Sequence, residues 1–143
     1  MDFWLAALLG AVSGGALIAL GTKLRPQALA GQGYIALNVM LAIYVGVQLA
    51  SGTLIDIVFE ALLAVIVSGV TFVAMRRWLP AIGVAILLHG VYDALIGPHT
   101  GVAEWYPPLC AGFDLVVGLG LLWLLVHKVR LARTTALMHP PQS

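Results

Sequence analysis

A chain of 143 residues that is 62% hydrophobic and 9% charged, with a mean hydropathy of +1.04, lies far outside the range of water-soluble domains, about a quarter of whose residues carry charge. It reads as an all-α, polytopic integral membrane protein whose first partner is the lipid bilayer. The formal net charge of +1 gives no argument for nucleic acid as a partner, and the single cysteine, Cys110, excludes an intrachain disulfide.

A membrane-spanning helix needs about 20 mostly apolar residues, and shorter runs serve when flanking residues snorkel. Five stretches qualify, at 3–21, 33–50, 54–75, 79–97 and 108–126, with 127–143 as a cytoplasmic tail. The first resembles a signal peptide only superficially. Asp2 precedes it in place of a basic residue, its apolar run exceeds the ~7–15 residues of a signal core, and Lys23 and Arg25 follow directly. It is therefore expected to stay as a spanning helix. A loop of Thr22 to Gln32, containing Pro26, leads to the second span. Only Ser51, Gly52 and Thr53 separate the second from the third, which predicts an antiparallel hairpin. Pro80 suits the first turn of the fourth span. Gly10 with Gly14, Ala11 with Gly15, and Ala42 with Gly46 are spaced for close helix packing, within one bundle or at a homo-oligomer seam.

Charge decides the orientation. Lys23, Arg25, Arg76, Arg77, Lys128, Arg130 and Arg133 all fall on one side of a five-span arrangement, which predicts N-terminus out and C-terminus in. Asp2, Asp56, Glu60, Asp93, Glu104 and Asp114 fall on or near the opposite side. Four or six spans would break this separation. Trp4, Trp105 and Tyr106 suit the outer interface, and Trp78 and Tyr34 the inner one. The expected location is a cell inner membrane.

Ionisable residues within spans are costly and mark candidate functional sites. At about 1.5 Å per residue, His89 lies roughly 12 Å, Asp93 roughly 6 Å and Asp114 roughly 9 Å below the outer ends of their helices. Asp56 and Glu60 share a face of the third span, as His89 and Asp93 do of the fourth. One imidazole with two or three carboxylates makes a first shell for a divalent metal such as Zn, Mn or Fe. In that reading His89, Asp93 and Asp114 are ligands, and Glu60 and Asp56 are the candidate catalytic carboxylates, with Glu60 as general base. Gln48, Tyr92, His99, Glu104 and Cys110 are further binding candidates, while His127 and His139 belong to the basic side, away from the site. Two other readings stand beside it: a proton or cation site in a small transporter, and a polar cluster that only joins helices in an accessory subunit of a larger complex.

The stretches LHGVYDAL, at 88–95, and EWYPPLCAGFDLVVG, at 104–118, resemble the closing segment of a family of small bacterial integral-membrane proteins of unknown function. The resemblance covers about a third of the chain. It implies a compact multi-helix membrane fold with His89, Asp93, Tyr106, Pro107, Cys110 and Asp114 in the family pattern, and it supplies no activity. The spacing of His89 and Asp93 is also similar to the last motif of membrane-embedded prenyl-protein proteases, but the paired glutamates of that family are missing.

Overall fold

Inside a bilayer no water satisfies the backbone, so each crossing segment closes its own hydrogen bonds as a helix. The computed structural model describes residues 2–138, and all regular structure among them is helical. The elements are α1 (Phe3–Gly21), α2 (Pro26–Ser51), α3 (Leu54–Arg77), α4 (Ala81–Leu95) and α5 (Tyr106–Met138), with a 3-10 turn at Gly97–His99. His139 and the segment 140–143 lie outside the described residues.

Local chemistry sets the boundaries. Pro26 occupies the first turn of α2, where its missing N–H costs nothing, and Arg25 before it is extended. The loop expected at Thr22 to Gln32 therefore shrinks to Thr22–Arg25, and α2 starts well before residue 33. Lys128 reaches back from α5 to donate to the carbonyls of Thr22 (2.7 Å) and Leu24 (3.0 Å), which satisfies acceptors left over at the end of α1. At α3, Thr53 and Asp56 form a capping box: Asp56 Oδ2 accepts from the Thr53 N–H at 3.0 Å, and the Asp56 N–H is turned to Thr53 Oγ1. Such a cap stabilises a helix by about 1 kcal/mol.

Four helices, α1, α2, α3 and α5, are long and apolar enough to cross a membrane; α4, with 15 residues, is shorter. It rises only about 22 Å against a hydrocarbon core of about 30 Å. The stretch 79–97 thus comprises a short helix flanked by the turn at Pro80 and by the 3-10 segment. Helix α5 continues past residue 126, so the beginning of the expected tail is helical.

Close approaches give the helix directions. Along α1, Gly10 meets Leu109 and Phe113, Gly14 meets Phe113 and Val117, and Ile18 meets Gly120, so α1 and α5 run parallel. Gly90 lies against Asp114 and Gly83 against Leu122, so α4 runs antiparallel to α5. Tyr34 and Asn38 of α2 share hydrogen bonds with Ser68 of α3, at 2.7 Å in each case, in a second antiparallel pair. Gly15 and Gly46, expected at packing seams, face open space. The core is formed by residues such as Leu37, Ile82, Ile86, Val117 and Leu125. Helix α3 is peripheral, and only Glu60 and Thr71 of it are buried.

This alternation gathers the ends of α1, α3 and α5 at one end of the bundle, with Lys23, Arg25, Arg76, Arg77 and Lys128 there. Asp2, Asp56 and Glu104 stand at the other end. The exposed sides of the helices are studded with apolar residues, among them Val12, Val65, Leu88 and Trp123, as lipid-facing surfaces are.

Candidate functional site

The only side chain on residue 90 is a hydrogen, and that lets α4 and α5 come together. A Cβ there would lie 2.8 Å from that of Asp114. His89 and Asp93, one turn apart on the inner face of α4, consequently reach Asp114 on α5. His89 Nδ1 is 2.8 Å from Asp114 Oδ2 and 3.3 Å from Asp93 Oδ2. Both aspartates are 0% exposed and His89 is 5% exposed. From α2, the Tyr44 hydroxyl donates to Asp93 Oδ1 at 2.5 Å.

Even so, the hydrogen bonding is incomplete. His89 Nε2, Asp93 Oδ2 and Asp114 Oδ1 are buried and have no hydrogen-bond partner among the described residues. Unpaired buried carboxylate oxygens are costly, and two carboxylates meet only one imidazole here. A bound cation would supply the missing charge. His89, Asp93 and Asp114 each offer a ligand atom, and these atoms lie within 4.8 Å of one another. A tetrahedral ion with bonds near 2.0–2.1 Å sets its donors about 3.4 Å apart. The 3.3 Å His89–Asp93 separation matches that spacing. The 2.8 Å contact to Asp114 is a direct hydrogen bond that an ion would replace.

An aromatic shell surrounds the imidazole. The Tyr44 ring centroid is 5.9 Å from that of His89, 5.2 Å from that of Tyr92 and 6.2 Å from that of Tyr106. Tyr92 donates to Glu60 Oε1 at 2.5 Å, tying α4 to α3. His89, Tyr44, Tyr92 and Glu60 all line one end of a cleft of about 320 Å³ between α2, α3 and α4.

The remaining expected site residues separate. Asp56 is exposed and committed to its capping box with Thr53, so it does not join Glu60 in the cluster. Its position one turn before Glu60 satisfies the helical period, but the helix start claims the side chain first. Glu60 is buried and bonded to Tyr92, not to His89. Gln48 donates to the Thr100 carbonyl at 2.8 Å and so holds the α4–α5 loop instead of facing the site. His99 and Glu104 are exposed on that loop, apart from the buried group. Cys110 is buried with a free thiol and lies outside the three-residue ligand group. His127 is exposed and stacked on Trp123, with ring centroids 5.8 Å apart.

Tyr44, which is not among the expected site residues, holds Asp93 directly. The signal available was a tyrosine within an apolar span. The apolar wall of the cleft was not foreseen, although Glu60, Leu63, Val67 and Thr71 recur at helical spacing along α3.

Searches against protein families, curated proteins and solved structures find no match to this chain.

Proposed function

We propose that this protein is a multi-pass membrane enzyme that holds a divalent cation, Zn, Mn or Fe, between His89, Asp93 and Asp114 and acts on a lipid-like substrate. The observation that carries this reading is the convergence of three donors in which two fully buried carboxylates each keep an oxygen without a hydrogen-bond partner among the described residues. Structural zinc sites are closed by four protein ligands, whereas catalytic ones have three and keep a position open for water or substrate. Three is the number present among the described residues. Glu60, on the same cleft as His89, serves as the general base, and Tyr92 orients it. The test is elemental analysis of the purified protein. Wild-type and Asp56→Asn chains are expected to carry stoichiometric metal and His89→Ala to carry none; a metal-free wild type, or metal retained by His89→Ala, overturns the reading.

The 2.8 Å bond between His89 and Asp114 favours a second reading, in which the same group passes protons without a metal. A metal-free wild type would turn the assignment to that reading.

We further infer five crossings, with α4 completing the fourth by means of its flanking turns, and a basic end facing the cytoplasm of a cell with this protein in its inner membrane. Two observations support it: the parallel course of α1 and α5 and the clustering of basic residues at one end. An impermeant thiol reagent applied from outside is expected to label Thr100→Cys and spare Arg77→Cys. The reverse pattern sinks the orientation. Membership of the small bacterial family that LHGVYDAL and EWYPPLCAGFDLVVG resemble also stands as a proposal. It is supported by the meeting of His89, Asp93 and Asp114 from those two stretches.

A further inference from the structure

We propose that the cleft between α2, α3 and α4 takes a single acyl chain of a membrane lipid, entering sideways from the bilayer and bringing its carbonyl end to Tyr44, Glu60, His89 and Tyr92. This deepens the enzymatic reading by naming the substrate class of that site.

The division of the lining carries the inference. All of its ionisable side chains sit at one end, and beyond them the walls are apolar: Leu63, Val67 and Val70 on α3, Ala85 and Leu88 on α4, and Leu41 on α2. From Glu60 to Thr71 the α3 wall rises about 16 Å. One leaflet of a hydrocarbon core about 30 Å thick is about 15 Å deep, so the wall has the length of one extended chain in one leaflet. Thr71, 5% exposed, ends the wall. The rims are open to the side, since Ile66 is 59%, Val70 64% and Leu88 64% exposed. In a chain whose apolar helix faces meet lipid, a groove with such rims opens onto hydrocarbon and not onto water. Glu60 lies in the second turn of α3, so the carbonyl is drawn below the interface, where a hydrogen bond from the His89 imidazole, whose Nε2 has no hydrogen-bond partner among the described residues, meets little competition from water.

Full-length protein in bilayer nanodiscs of phosphatidylcholine and phosphatidylglycerol, doped with a phosphatidylcholine that carries a diazirine midway along one acyl chain, tests this by photolabelling and peptide mass spectrometry. Labelling is expected to concentrate on α3 around Val67 and Val70 and on α4 around Ala85 and Leu88, above the level on the lipid-facing residues Leu8 and Val12 of α1. Ala85→Phe, or Val67→Phe should the first variant fail to fold, is expected to lower cleft labelling to the α1 level, while Gly15→Ala, on α1 with nothing within 4 Å, retains it. Uniform labelling of α1 and the cleft overturns the inference. So does preferential labelling by a photoactivatable polyisoprenyl lipid, or α3 crosslinked to a second copy of the chain. Metal analysis of the same samples separates the two claims. Cleft labelling without metal removes the metal reading alone, and metal without cleft labelling removes the acyl chain alone.

Discussion

Asp114→Asn is expected to uncouple the thermal stability of this protein from divalent metal. A ligand that binds only the folded state at a hundred times its Kd stabilises it by about 2.7 kcal/mol, so wild-type protein in detergent should lose stability of that order when a chelator is added. Asparagine keeps the shape of Asp114 and can still accept from His89 Nδ1, now 2.8 Å from the carboxylate, so the α4–α5 contact survives. It cannot supply an anionic ligand. The variant should therefore unfold at the same temperature with and without chelator. In chelator it should be at least as stable as wild type, because one of two buried carboxyl groups facing a single imidazole has been replaced by a neutral amide. Thermal unfolding of both proteins, with and without chelator, checks this. A metal-dependent rise in the variant equal to that of wild type would remove Asp114 from the ligand set.

How much of this was legible in the residues depends on the range of each interaction. His89 and Asp93 share a helix face by the 3.6-residue period alone, and Asp114 at similar depth on the next helix left few partners other than His89. Their meeting could be anticipated from rise per residue. The same period suggested that Asp56 would stand with Glu60, and there a stronger local preference won: Thr53 and Asp56 have the spacing of a capping box, and a free helix start takes up a carboxylate before a distant cluster can. The early start of α2 was likewise written in Pro26, which begins helices as readily as it interrupts them. What no periodicity could supply was the choice of neighbours. That Tyr44 rather than Gln48 reaches Asp93, that Tyr92 rather than His89 takes Glu60, and that a cleft opens between α3 and α4 all follow from how five helices settle against one another. Gly90, an ordinary residue in the sequence, proves to govern the site because its missing Cβ leaves the room that the Asp114 side chain occupies.

The glycines give the second large expectation. A Cβ on Gly10 would lie 1.9 Å from the carbonyl oxygen of Leu109, and one on Gly112 would lie 2.2 Å from that of Ala7. Both obstacles are backbone atoms, which no rotamer change can move aside, so α1 and α5 must separate. Gly10→Ala and Gly112→Ala are each expected to cost about 1–3 kcal/mol through overpacking. The same substitution at Gly15 or Gly46, which meet nothing within 4 Å, should be neutral or gain up to about 0.5–1 kcal/mol from the better helix former. Unfolding of the four variants in one detergent would order them, and equal losses at all four positions would contradict the α1–α5 seam. The site adds a sharper contrast. Gly112 faces α1, while Asp114 faces α4, so Gly112→Ala should weaken the fold yet leave metal bound. Gly90→Ala places a methyl 2.8 Å from the Asp114 Cβ, pushes α5 away from His89, and should lose metal before it loses the fold.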